Sequence, residues 1–154
     1  MRKMISFFLV FVIFPIGAES LPALRQVTPE EMTAIFSIAR ETGVPASIVR
    51  QLIAEESGGN VNAVSHETAE GFRSRGIIQI YDKNRAELVK KFWRGGDFDV
   101  YNPIHNATVG LRYLAALHRR FGNWYQACIY YNHGDVAHCP EDTRAYARRI
   151  VNAE

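Results

Sequence analysis

The side chain best placed for acid–base chemistry is Glu56. A helix is predicted to begin at Pro45 and to end at a glycine pair, with apolar residues recurring at helical spacing. Glu56 follows Val49 by seven residues and Leu52 by four, so it extends the apolar stripe of this helix. A carboxyl group there is partly desolvated, which raises its pKa toward the range that a general acid needs near neutral pH. The alternative is that Glu56 and its neighbour Glu55 only decorate a helix end.

The elements that must position this carboxyl group are short helices. Capping residues or prolines indicate six helix starts, at Thr28, Pro45, Asp82, Asn102, Asn123 and Pro140. No segment has a convincing alternating strand pattern. The stretch between residues 60 and 81 is rich in glycine, serine and charge, and we expect it to form a loop or a small hairpin. The pattern as a whole predicts an all-α domain.

Length and composition limit the class of protein. The chain has 154 residues, which suffices for one domain. Its 47% apolar and 22% charged residues are typical of a globular protein and exclude the collagen-like and disordered classes. Two of the 18 lysines and arginines lie at the very start, so the rest of the chain has 16 basic residues against 16 acidic ones. This balance disfavours a nucleic-acid partner, because phosphate binding needs a basic face.

Residues 1–20 have the pattern of a secretory signal peptide. A basic start is followed by an apolar run over residues 4–14 and then by small residues. The run is about half as long as a membrane-spanning helix, and no later stretch is apolar enough to span a membrane. Cleavage is expected near Ala18 or Ser20, which leaves residues 21–154 as the mature domain in the periplasm or outside the cell. An uncleaved membrane anchor is the alternative.

Export makes the two cysteines interpretable, because disulfides persist in oxidising compartments. A disulfide between Cys128 and Cys139 is therefore predicted, and it would close a short loop. The alternative is a zinc site that includes the nearby His133 and His138. The spacing lacks the paired Cys or His elements of common zinc sites, so no metal is expected.

Three blocks of sequence occur in an order that resembles one enzyme family. Residues 56–65 read ESGGNVNAVS, residues 76–80 read GIIQI and residues 131–134 read YNHG. They resemble the blocks Glu-Ser with Asn-Pro-x-Ala-x-Ser, Gly-Leu-Met-Gln and Tyr-Asn-Ala-Gly of the lytic transglycosylases in the goose-lysozyme-like superfamily. Supporting matches are NPIHN and then GLRYL within residues 102–114, and DTRAY at residues 142–146. The resemblance covers nearly the whole mature domain and indicates the small, single-domain type with a soluble-lytic-transglycosylase (SLT) domain.

The resemblance implies an all-α, lysozyme-like fold and a peptidoglycan lyase that needs no cofactor. Such enzymes cleave the β-1,4 bond between N-acetylmuramic acid and N-acetylglucosamine. By this resemblance Glu56 protonates the glycosidic oxygen and then accepts the proton of the muramic C6 hydroxyl as that oxygen attacks C1. The product is a 1,6-anhydro sugar. One carboxyl group suffices because the substrate supplies its own nucleophile, whereas glycoside hydrolysis usually pairs two carboxylates.

The matched blocks also imply residues that contact the substrate: Ser57, Ser65, Gln79, Tyr131, Asn132 and Tyr146. Tyr131 is expected beside Glu56, where its hydroxyl would orient the carboxyl group, and a buried core tyrosine is the alternative. Gln79 is expected to bind an N-acetyl group, with a structural hydrogen bond as the alternative. The two serines either bind glycan or cap local backbone, and Asn132 is expected to hold a turn more than to touch sugar. Tyr146 either contacts glycan or stem peptide or packs between helices.

Several positions depart from the family pattern. Val61 stands where proline is usual, Ile78 replaces a methionine and His133 replaces an alanine. Residues 66–75 form an insertion beside the expected groove, which either selects a substrate or partner or is a solvated loop. These changes affect the details of binding, and none removes the candidate acid.

Two other functions stay open. Asp97 or Asp99 would make the protein a hydrolytic muramidase if it positions a water across the cleft from Glu56, although a turn after the third helix is the plainer explanation. The other alternative is a catalytically silent glycan-binding component of a cell-envelope machine. A single small exported domain fits enzymes that open peptidoglycan for a secretion, conjugation or pilus assembly. It fits enzymes of general wall turnover equally.

Overall fold

The computed structural model describes residues 23–153, which contain six helices and one two-stranded sheet. The elements in chain order are α1 (Pro29–Thr42), α2 (Ala46–Ser57), β1 (Ser74–Arg75), β2 (Ile80–Tyr81), α3 (Asp82–Phe92), α4 (Pro103–Phe121), α5 (Trp124–His133) and α6 (Glu141–Val151). The prediction of an all-α domain is confirmed, and the stretch between residues 60 and 81, expected to form a loop or a small hairpin, contains the hairpin. The predicted signal peptide, residues 1–20, lies outside the described residues. None of the helices described is long and apolar enough to cross a membrane.

The helices begin and end at residues whose chemistry favours caps. At α1 the Thr28 hydroxyl accepts a hydrogen bond from the Glu31 N–H at 3.2 Å, and the Glu31 carboxylate accepts one from the Thr28 N–H at 2.9 Å. The side chains of Asn102 and Asn123 accept hydrogen bonds from the first turns of α4 and α5. Gly58 ends α2 with a φ of 60°, a left-handed conformation that glycine adopts without strain. These predicted boundaries are confirmed.

The start of α3 differs in one respect from the prediction. Asp82, expected as the cap, is the first residue of the helix and makes no capping hydrogen bond. Its carboxylate instead accepts hydrogen bonds from Arg75 Nε at 3.0 and 3.2 Å and from Arg85 at 2.6 Å. Because Arg75 lies on β1, this ion pair ties the hairpin to the start of α3.

The core lies between packed helices. Helix α4 contacts α1, α3 and α5, and α6 contacts α2 and α5. The fully buried apolar side chains of these helices include Ile35, Val49, Leu52, Leu111, Leu114 and Ile150. The packing of α2 against α6 places the last turn of α2, which contains the candidate acid, beside a second helix.

A fully buried amide fixes the loop that faces the end of α2. The Asn106 side chain, on α4, donates to two backbone carbonyls at 3.0 and 2.9 Å and accepts from the Ile78 N–H at 3.0 Å. Gly76 lies against this amide, and a Cβ at that position would be 2.2 Å from Asn106 Nδ2. Only glycine therefore fits at the turn. The loop of residues 76–79 is held in one position by these contacts.

The predicted disulfide is absent from the structure, in which Cys128 and Cys139 are both free thiols. Cys128 is buried in α5, where burial and the nearby charge of Glu56 raise its pKa to about 12. The Cys139 sulphur instead donates to the Val136 carbonyl and accepts from the Arg144 guanidinium, at 3.5 Å each. The two sulphurs thus belong to different contact networks.

Candidate active site

Glu56 lies in the last turn of α2 with its side chain against α5 and α6. The Tyr146 hydroxyl, on α6, donates a hydrogen bond to Glu56 Oε1. Tyr131 and Cys128, both on α5, are close enough for the Glu56 charge to raise their pKa values. Glu56 is half-buried, and its Oε2 accepts no hydrogen bond from a described residue. One carboxyl oxygen is therefore fixed by the protein and the other can meet a ligand.

Burial is the main influence on the acidity of Glu56. Desolvation raises the pKa of its carboxyl group from 4.5 to about 7. The hydrogen bond from Tyr146 favours the charged form and lowers the pKa, while the negative charge of Glu55 raises it further; burial outweighs both. A carboxyl group with a pKa near 7 is partly protonated at neutral pH, so it can donate a proton and later accept one.

The adjacent carboxylate, Glu55, has the opposite environment. The Arg149 guanidinium, on α6, donates to both oxygens of Glu55 at 2.8 Å, and the Gln51 amide donates to one of them at 3.0 Å. The Arg149 contact lowers the pKa of Glu55 below its ordinary value. Tyr146 and Arg149 are three residues apart and lie on one face of α6. The same face of α6 therefore contacts both carboxylates.

The Tyr131 hydroxyl contacts the loop and not the carboxyl group. It donates to the Ile78 carbonyl at 2.8 Å. Its ring packs against that of Tyr113, with the centroids 5.6 Å apart. The sequence assigns the orienting hydrogen bond on Glu56 to Tyr131, and the structure corrects this. The single hydroxyl proton of Tyr131 goes to the Ile78 carbonyl, and the Tyr146 hydroxyl supplies the hydrogen bond to Glu56. Tyr131 instead fixes the loop beside Glu56.

The Gln79 side chain is used by the fold. Its amide nitrogen donates to the carbonyls of Ala63 and Gly76, at 3.2 and 2.9 Å. Its backbone φ of 52° lies in the left-handed region, which non-glycine residues rarely adopt. The two hydrogen bonds help to maintain this conformation, so the structural alternative for Gln79 is supported. Its contact with an N-acetyl group stays a prediction.

The two candidate serines bond to nearby backbone. Ser57 Oγ donates to the Ile77 carbonyl at 2.7 Å and so joins the end of α2 to the loop beside Glu56. Ser65 Oγ accepts from the Ser74 N–H at 2.8 Å. These bonds agree with the expectation that the serines cap local backbone. A role in binding glycan stays a prediction for both.

Asn132 holds helices together, which is close to the expectation that it holds a turn. Its Oδ1 accepts a hydrogen bond from the Thr143 hydroxyl at 3.2 Å, which ties α5 to α6.

The insertion over residues 66–75 makes two exposed ion pairs, Arg73 with Glu67 and Lys83 with Glu70. The second pair joins the insertion to α3.

The two aspartates considered for a hydrolytic mechanism lie between α3 and α4. Asp97 is exposed. Asp99 Oδ1 accepts from the Tyr101 N–H at 2.8 Å, which forms a turn before α4. The charged neighbour that raises the pKa of Glu56 is Glu55. The structure therefore supports the turn, and in the part of the chain that it describes neither aspartate contacts Glu56.

Sequence reasoning missed two residues that build the site. Arg149 pairs with a carboxylate 94 positions earlier, and its signal was a basic residue one helical turn after Tyr146. Asn106 ends the NPIHN segment, and that match was the signal for its buried amide. In residues 23–153 no group of three or more His, Cys, Asp or Glu side chains is arranged to hold a metal ion.

Comparison with known proteins assigns the family. The family model described as the transglycosylase SLT domain matches residues 33–152. This range includes the hairpin, the end of α2 and the face of α6 that contacts the end of α2. No curated protein matches the chain significantly. The family match agrees with the all-α fold and supports a peptidoglycan-acting function of the transglycosylase type. The chain therefore belongs to the transglycosylase SLT domain family.

Proposed function

We propose that this protein is a peptidoglycan lytic transglycosylase in which Glu56 is the general acid and base. The observation that carries the proposal is the state of the Glu56 carboxyl group: burial raises its pKa to about 7, and one of its oxygens accepts no hydrogen bond from a described residue. The acid of a glycosidase needs such a raised pKa to be protonated at neutral pH. Family membership indicates the substrate class.

In the proposed reaction, protonated Glu56 gives its proton to the glycosidic oxygen between N-acetylmuramic acid and N-acetylglucosamine as the bond from that oxygen to C1 breaks. The hydrogen bond from Tyr146 stabilises the carboxylate that forms. The carboxylate then takes the proton of the muramic C6 hydroxyl, whose oxygen bonds to C1 and closes the 1,6-anhydro ring. Glu56 returns to its protonated form, and no water is consumed.

The surroundings of Glu56 favour this route over hydrolysis. Hydrolytic glycosidases usually pair two carboxylates across the bond. Within the described residues the carboxylate beside Glu56 is Glu55, and Arg149 engages both of its oxygens. Glu55 is therefore poorly placed to act as a base or nucleophile. The hydroxyl of the substrate itself is the remaining nucleophile, and a muramidase is the alternative that product analysis tests.

The proposal includes export, which rests on the sequence pattern of residues 1–20. The enzyme would then meet peptidoglycan in the periplasm or outside the cell, where it would serve a secretion, conjugation or pilus assembly or general wall turnover. N-terminal sequencing of the exported protein should give a start near residue 19 or 21. A full-length chain in the membrane fraction would indicate the uncleaved anchor.

The deciding experiment is the mass of the soluble products that the mature protein releases from purified peptidoglycan. Fragments ending in 1,6-anhydromuramic acid are expected. Fragments with reducing ends, about 18 Da heavier because water is added, would assign a muramidase instead. The absence of fragments would favour the glycan-binding alternative.

Two matched variants test whether Glu56 is the general acid. Glu56→Gln is expected to lower turnover by about a thousandfold, because general acid–base catalysis contributes on the order of 10²–10⁴. Glu55→Gln makes the same chemical change one residue away and should stay within about fivefold of the wild type, since that carboxylate does not meet the substrate in this proposal. Binding of Glu56→Gln to peptidoglycan should be retained. Full turnover by Glu56→Gln would exclude Glu56 as the acid.

A further inference from the structure

One cluster of cations lies apart from the ion pairs that the described residues form. Eight ion pairs join basic side chains to carboxylates within residues 23–153. None of them involves the cleft between α3, α4 and the end of α1, which has a volume of about 670 Å³. Four cations and one carboxylate line this cleft: Lys91, Arg94, Arg112, Arg119 and Glu41. It is termed the basic cleft.

Two of these cations are held in position by the end of α3. Arg112 donates to the Phe92 carbonyl at 2.7 Å, and Arg94 donates to the Trp93 carbonyl at 2.9 Å. A guanidinium has five N–H donors, so most of its donors remain for a ligand. Lys91 and Arg119 are exposed, and neither pairs with a described carboxylate. Helix dipoles favour cations at helix C-termini, but they do not explain why so few carboxylates accompany them.

The basic cleft is separate from Glu56. Its edge includes Thr42, which precedes α2, whereas Glu56 is in the last turn of α2, about 15 Å along the helix axis from the first residue of α2 at the usual helical rise. On α4, Arg112 and Arg119 lie two and nine residues beyond Gly110, which puts both about half a turn around the helix from Gly110, the residue that packs against Ile78 in the loop beside Glu56. A ligand in the basic cleft therefore need not contact the sugar that is cut at Glu56.

We propose that the basic cleft binds an acidic segment of a partner polypeptide. Four cations against one carboxylate make the cleft complementary to a run of glutamates or aspartates. The Phe92 side chain supplies an apolar wall. Because the cleft between the helices is concave, it fits a segment of polypeptide better than it fits a partner with a flat surface. The inference does not depend on the proposed catalytic role of Glu56.

Two other classes of partner fit the observations less well. Membrane-binding faces combine cations with large exposed apolar side chains. Among the described residues the large apolar side chain that is exposed is Leu24, which lies before α1 and does not line the cleft. Nucleic acid fits poorly because its affinity comes from neutralising many phosphates along an extended surface, and this cleft has four cations.

The test measures binding of a fluorescent peptide of alternating glutamate and alanine to the mature protein at low salt. Lys91→Gln with Arg119→Gln is the test variant, because these side chains are exposed and leave the Arg112 contact between α3 and α4 intact. Arg25→Gln with Arg148→Gln removes the same net charge from ion pairs elsewhere and is the matched control. The test variant should bind about tenfold more weakly than the wild type, since each exposed charge contact contributes a factor of roughly three. The control should bind like the wild type.

Three outcomes would overturn the proposal. Equal weakening in the two double variants would mean that net charge alone decides binding. Tighter binding of the wild type to vesicles of anionic phospholipid than to the peptide would assign the cleft to a membrane. Slower peptidoglycan turnover by the test variant, with an unchanged circular dichroism spectrum, would assign the cleft to the substrate. Lack of turnover in the wild type would contradict the proposed function alone, because peptide binding is measured without it.

Discussion

Glu55 and Glu56 are neighbours in the last turn of α2, yet their ionisation differs. Arg149 donates to both oxygens of Glu55 and lowers its pKa, while burial raises the pKa of Glu56 to about 7. Consecutive side chains on a helix point about 100° apart. Glu55 therefore meets Arg149 of α6 in an ion pair, while the Glu56 carboxyl group is desolvated. The comparison shows that the position on the helix, and not the residue type, decides which carboxyl group suits proton transfer.

The largest expected effect is on stability. Glu56→Gln should stabilise the fold above pH 7, because the folded pKa of about 7 lies above the unfolded value of 4.5. The stability that protonated Glu56 contributes is fully present below pH 4.5 and is lost as the pH rises to 7, a loss of about 3 kcal/mol at 1.36 kcal/mol per unit. Glutamine does not titrate and avoids this loss. Urea unfolding at pH 4.5, 6 and 8 should show the advantage of the variant growing with pH.

The same change at Glu55 is the control for that measurement. Its folded pKa is lowered, so Glu55 contributes stability above the unfolded pKa that is lost as the pH falls through the folded value. Glu55→Gln should therefore destabilise the protein at neutral pH and do so less at acid pH. If both variants changed stability in the same direction with pH, the contrast between the two carboxylates would be wrong.

A smaller effect is expected at Tyr146. Tyr146→Phe removes the hydrogen bond that lowers the pKa of Glu56, so the basic limb of the profile of kcat/KM against pH should move to higher pH. Turnover should fall by about tenfold, because a charge-assisted hydrogen bond to the carboxylate is worth about 1.5 kcal/mol. Tyr125→Phe, on α5, is the control and should leave the profile unchanged. An unmoved basic limb in Tyr146→Phe would contradict the contact.

The smallest and most diagnostic shift concerns Arg149. Arg149→Met leaves the Glu55 charge without its guanidinium, which should raise the pKa of Glu56 and move the basic limb upward, by less than Tyr146→Phe does, because the charge of Glu55 is the smallest influence on that pKa. Glu55→Gln should move it downward. The double variant should behave like Glu55→Gln. A double variant that keeps the profile of Arg149→Met would show that Arg149 acts only by holding α6 in place.

Local chemistry made the helices predictable. The capping box at Thr28 and the glycine at residue 58 act within a few residues, so the sequence identifies both ends without knowledge of the fold. The desolvation of Glu56 could be inferred for the same reason, since the apolar stripe of α2 lies within one helix. Asp82 was wrong as a cap because its distant partner Arg75 engages its carboxylate.

Contacts between helices were less predictable. The sequence places Tyr131 beside Glu56 and assigns no such contact to Tyr146, because the hydroxyl that reaches the carboxyl group depends on how α5 and α6 pack. The Arg149 contact with Glu55 spans 94 positions, and the position of Arg149 one turn after Tyr146 does not identify its partner. The two cysteines are free thiols in the structure, and their spacing alone does not reveal which neighbours surround each one, so the disulfide stays a prediction.

The burial of Cys128 has a practical consequence. A thiol with a pKa of about 12 is almost wholly protonated at neutral pH, and its sulphur is shielded by the helices around Glu56. An alkylating reagent can reach it only when α5 separates locally from its neighbours. In a Cys139→Ser background, the rate of alkylation of Cys128 would therefore report the free energy of the local separation of α5 from the helices around Glu56. Cys128 thus provides a built-in probe of the local stability of the region around Glu56.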